Sequence, residues 1–308
     1  MRLARRAGLA TALAAICLPA LAAGSVASAA GSIAVRDGLG REVRLPAPPQ
    51  RIVSIFASNT ELLVALGLAE RIVGIEDFTR YPPGIRDGRA IVGGRLGFSA
   101  EAIARLRPDL VVMTPSRGAA QTLIRPLALV GIATLVLVHR DLAQIFANLA
   151  LLGEATAEPA AASRTIAALQ RRLAAVRARI SARPPARVFV ELGANDRGAL
   201  QTVRAGTYTA DAIALAGGAN VFAGLSGITQ VSAEAVQLAD PDVILVARDG
   251  FDPASLARRP GWAGLRALRS GRVHAVPRAL LLIPGPRVVA GVERMARLLH
   301  PDADRHPA

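Results

Sequence analysis

The chain has one cysteine, Cys17, and no lysine at all. It has one tryptophan, two tyrosines and seven phenylalanines in 308 residues. A single cysteine excludes a disulfide framework and a thiolate metal site. Four histidines, His139, His274, His300 and His306, are scattered, and none stands at ligand spacing with another histidine or cysteine. Bare metal binding is therefore not expected, and His274, inside an expected strand, reads as structural. Catalytic signatures are missing too: there is no Gly-x-Ser-x-Gly elbow, no Walker-type phosphate loop and no His-Glu-x-x-His.

Every basic residue besides histidine is arginine, and the formal charge is +14. An Ala-rich, arginine-only chain is what a GC-rich genome writes by default, so the charge is not taken as a nucleic-acid signal. A basic surface still suits anionic ligands or a membrane face.

The first stretch is MRLARRAGLATALAAICLPALAAGSVASAAGS. Arg2, Arg5 and Arg6 precede an apolar run from Ala7 to about Ala23, and Ala27, Ser28, Ala29 and Ala30 suit cleavage. Residues 1–30 are expected to be a secretory signal and the protein periplasmic. Lipoprotein anchoring through Cys17 is the lesser reading, because Ile16 before it is not small. Without the three signal arginines the charge is +11. About 278 residues follow, enough for two domains, and 52% hydrophobic content is ample for their cores.

Strand and helix patterns then alternate. IAVRDGLGREVRL reads as a hairpin around Asp37-Gly38, RIVSIF as a buried strand and NTELLVALG as a helix with a polar start and a glycine end. Further strands are expected at RIVGI, DLVVM and ATLVLV, with helices at SAEAIARL, around Ala119–Val130, and at DLAQIFANLALLG behind Asp141. Such alternation argues for parallel α/β sheets.

From about Pro159 to Ile180 there is neither glycine nor internal proline, and Ile166, Leu169, Leu173 and Val176 fall at helical spacing. Roughly 24 residues make a rod of about 36 Å. The alternation then resumes with ARVFVEL, TYTADAIALAGG, SAEAVQLA, DVILVA, RVHAV and a last helix from about Pro286 to Leu299. SAEAIARLRPDLVVM (Ser99–Met113) and SAEAVQLADPDVILV (Ser232–Val246) share six of fifteen positions, 133 residues apart. Each is a helix, a Pro-Asp turn and a strand. A second echo pairs Glu61–Gly67 with Asp211–Gly217. The expected fold is α/β, two similar lobes joined by one long rigid helix, with a ligand cleft between them. The expected boundaries are 31–153, 154–183 for the helix, 184–301, and a tail of 302–308.

These segments, with YPP at Tyr81–Pro83, VGG at Val92–Gly94 and LAGGANVF at Leu215–Phe222, resemble the periplasmic solute-binding proteins of the cobalamin, haem and iron-siderophore ABC importers. The resemblance covers about Val35 to Leu299. It implies that a small chelate sits between the lobes, that the protein delivers it to an inner-membrane permease, and that Glu101 and Glu234 dock there. On residue chemistry alone, a glutamate in a first helical turn also complements the helix dipole. The resemblance further implies cleft residues Phe56, Ser58, Asn59, Phe78, Tyr81, Arg95 and Arg117 from the first lobe. Ile228, Arg248 and Arg278 would come from the second.

Cobalamin binders of this class often carry tryptophan where this chain has Arg95 and Ile228, and haem binders a tyrosine where it has Gly94. Loop arginines favour an anionic guest, because a guanidinium pairs bidentately with carboxylates. An iron-siderophore or similar chelate ranks first, a corrinoid second and haem third. No resident cofactor is expected; any metal arrives chelated. Trp262 reads as a packing residue. The chain is expected to be a monomer. The rival is a secreted two-lobe enzyme using Asp249 or Asp196-Arg197 as an acid–base group.

Overall fold

The computed structural model describes residues 32–114, 119–195, 198–225 and 229–304. The expected signal segment, Arg117, Ile228 and Asp196-Arg197 lie outside the described residues.

The first lobe opens with an antiparallel ribbon, β1 (Ile33–Arg36) and β2 (Glu42–Leu45). Asp37 closes its turn, accepting from the backbone N–H groups of Leu39 and Arg41 at 3.0 and 2.9 Å. Parallel strands follow: β3 (Ile52–Ser54), β4 (Ile72–Ile75) and β5 (Ala90–Ile91). A small antiparallel hairpin of β6 (Gly93–Gly94) and β7 (Gly97–Phe98) stands outside the sheet. After it come β8 (Leu110–Met113) and β9 (Ala133–Val136). The sheet order is β5-β4-β3-β8-β9. Every residue of β3 and β8 is buried, as befits strands covered on both faces.

The helices of this lobe are α1 (Ala57–Ala65), α2 (Ala100–Arg105), α3 (Ala119–Leu129) and α4 (Leu142–Ala155). Asp141 caps α4, accepting from Gln144 N–H at 2.8 Å. α1 corrects the sequence reading: it starts at Ala57, two residues early, and has no polar cap of its own. Its preceding residue, Phe56, holds φ = 80°. The buried Glu76 carboxylate accepts from the free Ala57 N–H at 2.8 Å instead. A carboxylate is favourable at that positive helix end.

The connecting helix α5 runs Pro159–Ile180, 22 residues, with proline in its first turn. It is shorter than 154–183 because α4 keeps its own last turn. The second lobe then contains β10 (Ala186–Glu191), β11 (Gly193–Ala194), β12 (Leu200–Gln201), β13 (Gly218–Asn220), β14 (Gln230–Val231), β15 (Val243–Ala247) and β16 (Val273–Val276). Its main sheet is parallel, ordered β13-β10-β15-β16; β11-β12-β14 form a small sheet beside it. Its helices are α6 (Tyr208–Leu215), α7 (Ala233–Ala239), the single turns α8 (Ala254–Ala257) and α9 (Arg266–Arg269), α10 (Arg278–Leu282) and α11 (Val288–Leu299). Residues 301–304 add one 3-10 turn.

In both lobes the sheet reads second, first, third, fourth strand, counted along the chain, with one extra edge strand in the first. The repeated Ser-Ala-Glu segments occupy equivalent places: α2 leads into β8, and α7 into β15. Trp262 is fully buried in the second lobe, edge-on to Phe189 at 6.2 Å and under the Arg259 guanidinium at 4.7 Å.

The lobes are bound to α5 and to each other. Arg71 pairs with Glu158 at 2.8 Å, and Thr165 Oγ1 donates to the Ala65 carbonyl at 3.1 Å. On the other side Arg172 grips Glu293 of α11 with two bonds of 2.7 Å. Leu142 N–H donates to Asp211 at 2.9 Å, and Tyr208 N–H to the Arg140 carbonyl at 3.0 Å, both across the lobes. One apolar core contains residues of both lobes, Leu63 and Leu149 with Val190 and Met295. Opening a hinge here would break helix bonds and shear a packed core. Scattering profiles with and without bound guest should nearly superimpose; a large shrinkage on binding would disprove this rigidity.

Candidate functional site

Both sheets present the carboxyl ends of their strands to one cleft, the usual place for ligands in open α/β sheets. A cavity of about 580 Å³ lies there. The first lobe supplies Ala57 and Glu61 of α1, and Phe78, Arg80 and Tyr81 of the loop after β4. The second supplies Asp249 after β15, Ala279 and Leu282 of α10, and Arg278, Ile283 and Arg287. A neighbouring cavity of about 420 Å³ in the second lobe is lined by Glu191, Arg248, Asp249 and Arg278 among others. Sharing Asp249 and Arg278, the two form one extended groove.

The expected residues divide into three groups. Phe78, Tyr81 and Arg278 line the main cavity, and Arg248 lines its extension. Phe78 and Tyr81 are 50% and 40% exposed, open apolar surface of the sort a bound guest covers. Arg278 begins a helix rather than lying in a loop, and its Nη1 donates to the Leu192 carbonyl at 2.7 Å.

Phe56 stands beside the cleft, half-buried against Phe98 at 6.2 Å. Its positive φ is strained for a side chain of that size and is kept by the surrounding packing.

Ser58, Asn59 and Arg95 do not line either cavity. Ser58 and Asn59 are buried, at 4% and 0% exposure, beneath the cavity wall. Asn59 Nδ2 donates to the Ile55 carbonyl at 2.6 Å, and its Oδ1 lies 3.2 Å from His139 Nε2. The Ser58 hydroxyl is 3.5 Å and the Thr114 hydroxyl 3.1 Å from the same nitrogen. Asn148 Nδ2 approaches His139 Nδ1 at 3.2 Å. With α1 starting early, these side chains turn inward and brace the site from below. Arg95 is exposed at the turn of the β6–β7 hairpin and is not part of either cavity wall.

Glu61 and Arg287 were not anticipated. Glu61 is buried on α1, and burial raises its carboxyl above the usual range, against the pull of Arg287. The signal available was a glutamate opening the apolar run ELLVAL, which needs a partner if it is buried. Its partner, 226 residues away, has no local signature.

Glu101 and Glu234 are both exposed in the first turns of α2 and α7. Ser99 and Ser232 cap those helices, accepting from Ala102 N–H at 3.1 Å and Ala235 N–H at 3.2 Å. Hydrogen bonding to Ser232 keeps the Glu234 carboxyl below its ordinary range. No cluster of histidine, cysteine and carboxylates suited to a metal occurs among the described residues. Nor, among them, is any helix long and apolar enough to cross a membrane.

Residues 52–280 match the family described as "Periplasmic binding protein". The chain belongs to that family. Its members are solute-binding proteins, not enzymes, and this one is the substrate-binding component of an ABC importer. It is 26% identical over 275 residues to an uncharacterized ABC transporter substrate-binding lipoprotein of Bacillus subtilis, covering 88% of this chain and 86% of that one. It is 30% identical to the cobalamin-binding protein of Halobacterium salinarum, covering 86% of this chain and 73% of that one. Among solved structures, the periplasmic heme-binding protein RhuT of Roseiflexus sp. RS-1 superposes with a TM-score of 0.71 at 28% identity, over 83% of this chain and 99% of that one.

Proposed function

We propose that this protein captures an anionic metal chelate, an iron-siderophore or a compound like it, and hands it to an inner-membrane permease. The observation that carries the reading is the charge of the groove. Arg80, Arg278 and Arg287 reach it from both lobes, and Arg248 lines its extension. Glu61 neutralises Arg287, Asp249 offsets one more charge, and Glu191 in the extension is already paired with Arg259, so the wall keeps a positive excess. Such a wall attracts carboxylate or hydroxamate-bearing guests and steers their approach. Relatives that bind cobalamin or haem support a corrinoid or haem as the second reading, and the exposed Phe78 and Tyr81 rings favour it over a wholly polar guest. The chain is proposed to work in the periplasm after removal of a signal segment of residues 1–30, as a monomer.

The direct test is the absorbance spectrum of the protein taken from its own periplasm, since all three guests are coloured. Titration with ferric citrate, ferric desferrioxamine B, cyanocobalamin and haemin then ranks them. Tight binding of cyanocobalamin or haemin alone would displace the anionic-chelate reading.

Arg278 gives a finer check. Its guanidinium stands where the two cavities meet, 2.7 Å from the Leu192 carbonyl and with four other N–H groups to offer. Arg278→Lys should weaken an anionic chelate about ten- to a hundredfold, because a charge-assisted hydrogen bond is worth about 1.5–3 kcal/mol and an ammonium lacks the planar fork. Calorimetry giving unchanged affinity would remove Arg278 from the site.

A further inference from the structure

The Glu61–Arg287 pair is unlike the other ion pairs that hold the lobes together. Arg71–Glu158 and Arg172–Glu293 lie along α5, away from the cleft, and are partly solvated. Glu61 and Arg287 belong to opposite lobes and meet inside the cavity wall. The contact is bidentate, Nε to Oε2 at 3.0 Å and Nη2 to Oε1 at 2.5 Å. The Glu61 side chain is 1% exposed, so the carboxylate has given up water for this single partner.

The same guanidinium lies over the Tyr81 ring, 3.9 Å from its centroid. Arg287 is thus held from two directions, by a carboxylate at its edge and by a ring on its face. That arrangement needs the planar fork of arginine.

The second lobe's backbone is shaped for it. A Cβ on Gly285 would lie 2.8 Å from Glu61 Oε2 and 3.2 Å from Glu61 Cβ. Gly285 has no unusual φ, so its missing side chain serves the approach of Glu61 rather than a turn. Tyr81 itself, 40% exposed, shows the cavity the side that Arg287 leaves open.

We propose that Glu61 is a positioning residue. Acting through Arg287, it fixes the Tyr81 ring as a wall of the cleft and sets the spacing of the lobes at the ligand before the ligand arrives. A guest then meets a surface already ordered, and affinity is not spent on ordering it. The inference rests on the reading of this cleft as the ligand site.

The experiment is a double-mutant cycle. The probe is whichever of haemin, cyanocobalamin and ferric desferrioxamine B binds the wild-type protein most tightly. Glu61→Gln, nearly isosteric, should lower affinity about tenfold. In a Tyr81→Leu background the same change should cost less than twofold, because the wall it positions is gone. A merely structural Glu61 would cost the same in both backgrounds, and that result overturns the proposal, as does full affinity in Glu61→Gln alone. Gly285→Ala crowds the brace from the other lobe without removing a charge. It should mimic Glu61→Gln, and it replaces that variant if the buried amide prevents folding.

A separate arm tests the cleft. Ala279→Trp fills the cavity from a wall outside the brace. If it leaves probe binding intact, the ligand site lies elsewhere and both readings fall. If it abolishes binding while Glu61→Gln changes nothing, only the brace is wrong.

Discussion

Changing Glu101 and Glu234 together to alanine should abolish uptake while leaving affinity for the ligand as it was. Both carboxylates are exposed, and neither lines the cleft cavities. They stand at equivalent points of two lobes with the same strand order, each two residues past a capping serine. α5 is pinned to both lobes by Arg71–Glu158 and Arg172–Glu293, so the distance between the two charges does not drift. Two charges at fixed separation select one orientation on a partner carrying two matching cations. Truncating one member of a close interfacial pair costs about 2–5 kcal/mol. Losing two would weaken docking by about a thousandfold or more, provided that the pairs act independently. If these glutamates only complement their helix dipoles, the loss is a few tenths of a kcal/mol of stability and uptake survives. Whole-cell uptake of labelled ligand, beside calorimetry on the purified variant, separates the cases. Near-normal uptake, or lost ligand affinity, would refute docking.

The two lobes were legible in sequence because their signals are local. Runs such as LVVM and VILVA are buried on both faces, and Ser99, Ser232, Asp141 and Pro159 mark helix starts that the structure keeps. The repeat at Ser99 and Ser232 located equivalent helices correctly for the same reason. What sequence does not give is direction. A polar residue at a helix start can face a ligand or the core, and one residue of shift decides which. Glu76, a buried carboxylate from the next strand's end, lets α1 begin at Ala57, and Asn59 then turns toward His139. Loop arginines are alike in sequence, and Arg95 sits exposed in the two-residue turn of the β6–β7 hairpin, apart from the residues that line the two cavities. Arg287 was missed because its partners, Glu61 and Tyr81, are joined to it only by the packing of the two lobes.

Acid should destabilise the protein through His139. Its Nδ1 faces the Asn148 amide N–H, which also donates to the Val138 carbonyl at 2.8 Å. That leaves the proton on Nε2, directed at Asn59 Oδ1 and Thr114 Oγ1. A second proton on Nδ1 would set two donors face to face, and reversing the amide would forfeit the Val138 bond. Burial also opposes the charge, and the imidazole is pushed down to about 4. The unfolded chain protonates near 6.5, the folded chain only near 4. The stability is therefore complete above about 6.5, falls as pH drops between the two values, and loses nothing further below about 4. The loss is about 2–3 kcal/mol, allowing for the partial exposure of the ring. Glu61 and Glu76, raised by burial, act in the opposite sense over part of this range, and His274, lowered by burial, in the same sense. Subtraction removes all three. Urea unfolding from pH 4 to 8 should give a wild-type minus His139→Gln difference that declines with acid, whereas His274→Gln should leave most of that decline in place. A flat His139 difference would show that the network carries no titrating load. Ligand affinity should hold over the same range, since the folded imidazole stays neutral down to about 4 and Ser58, Asn59 and Thr114 go on holding the first-lobe edge of the cleft from beneath.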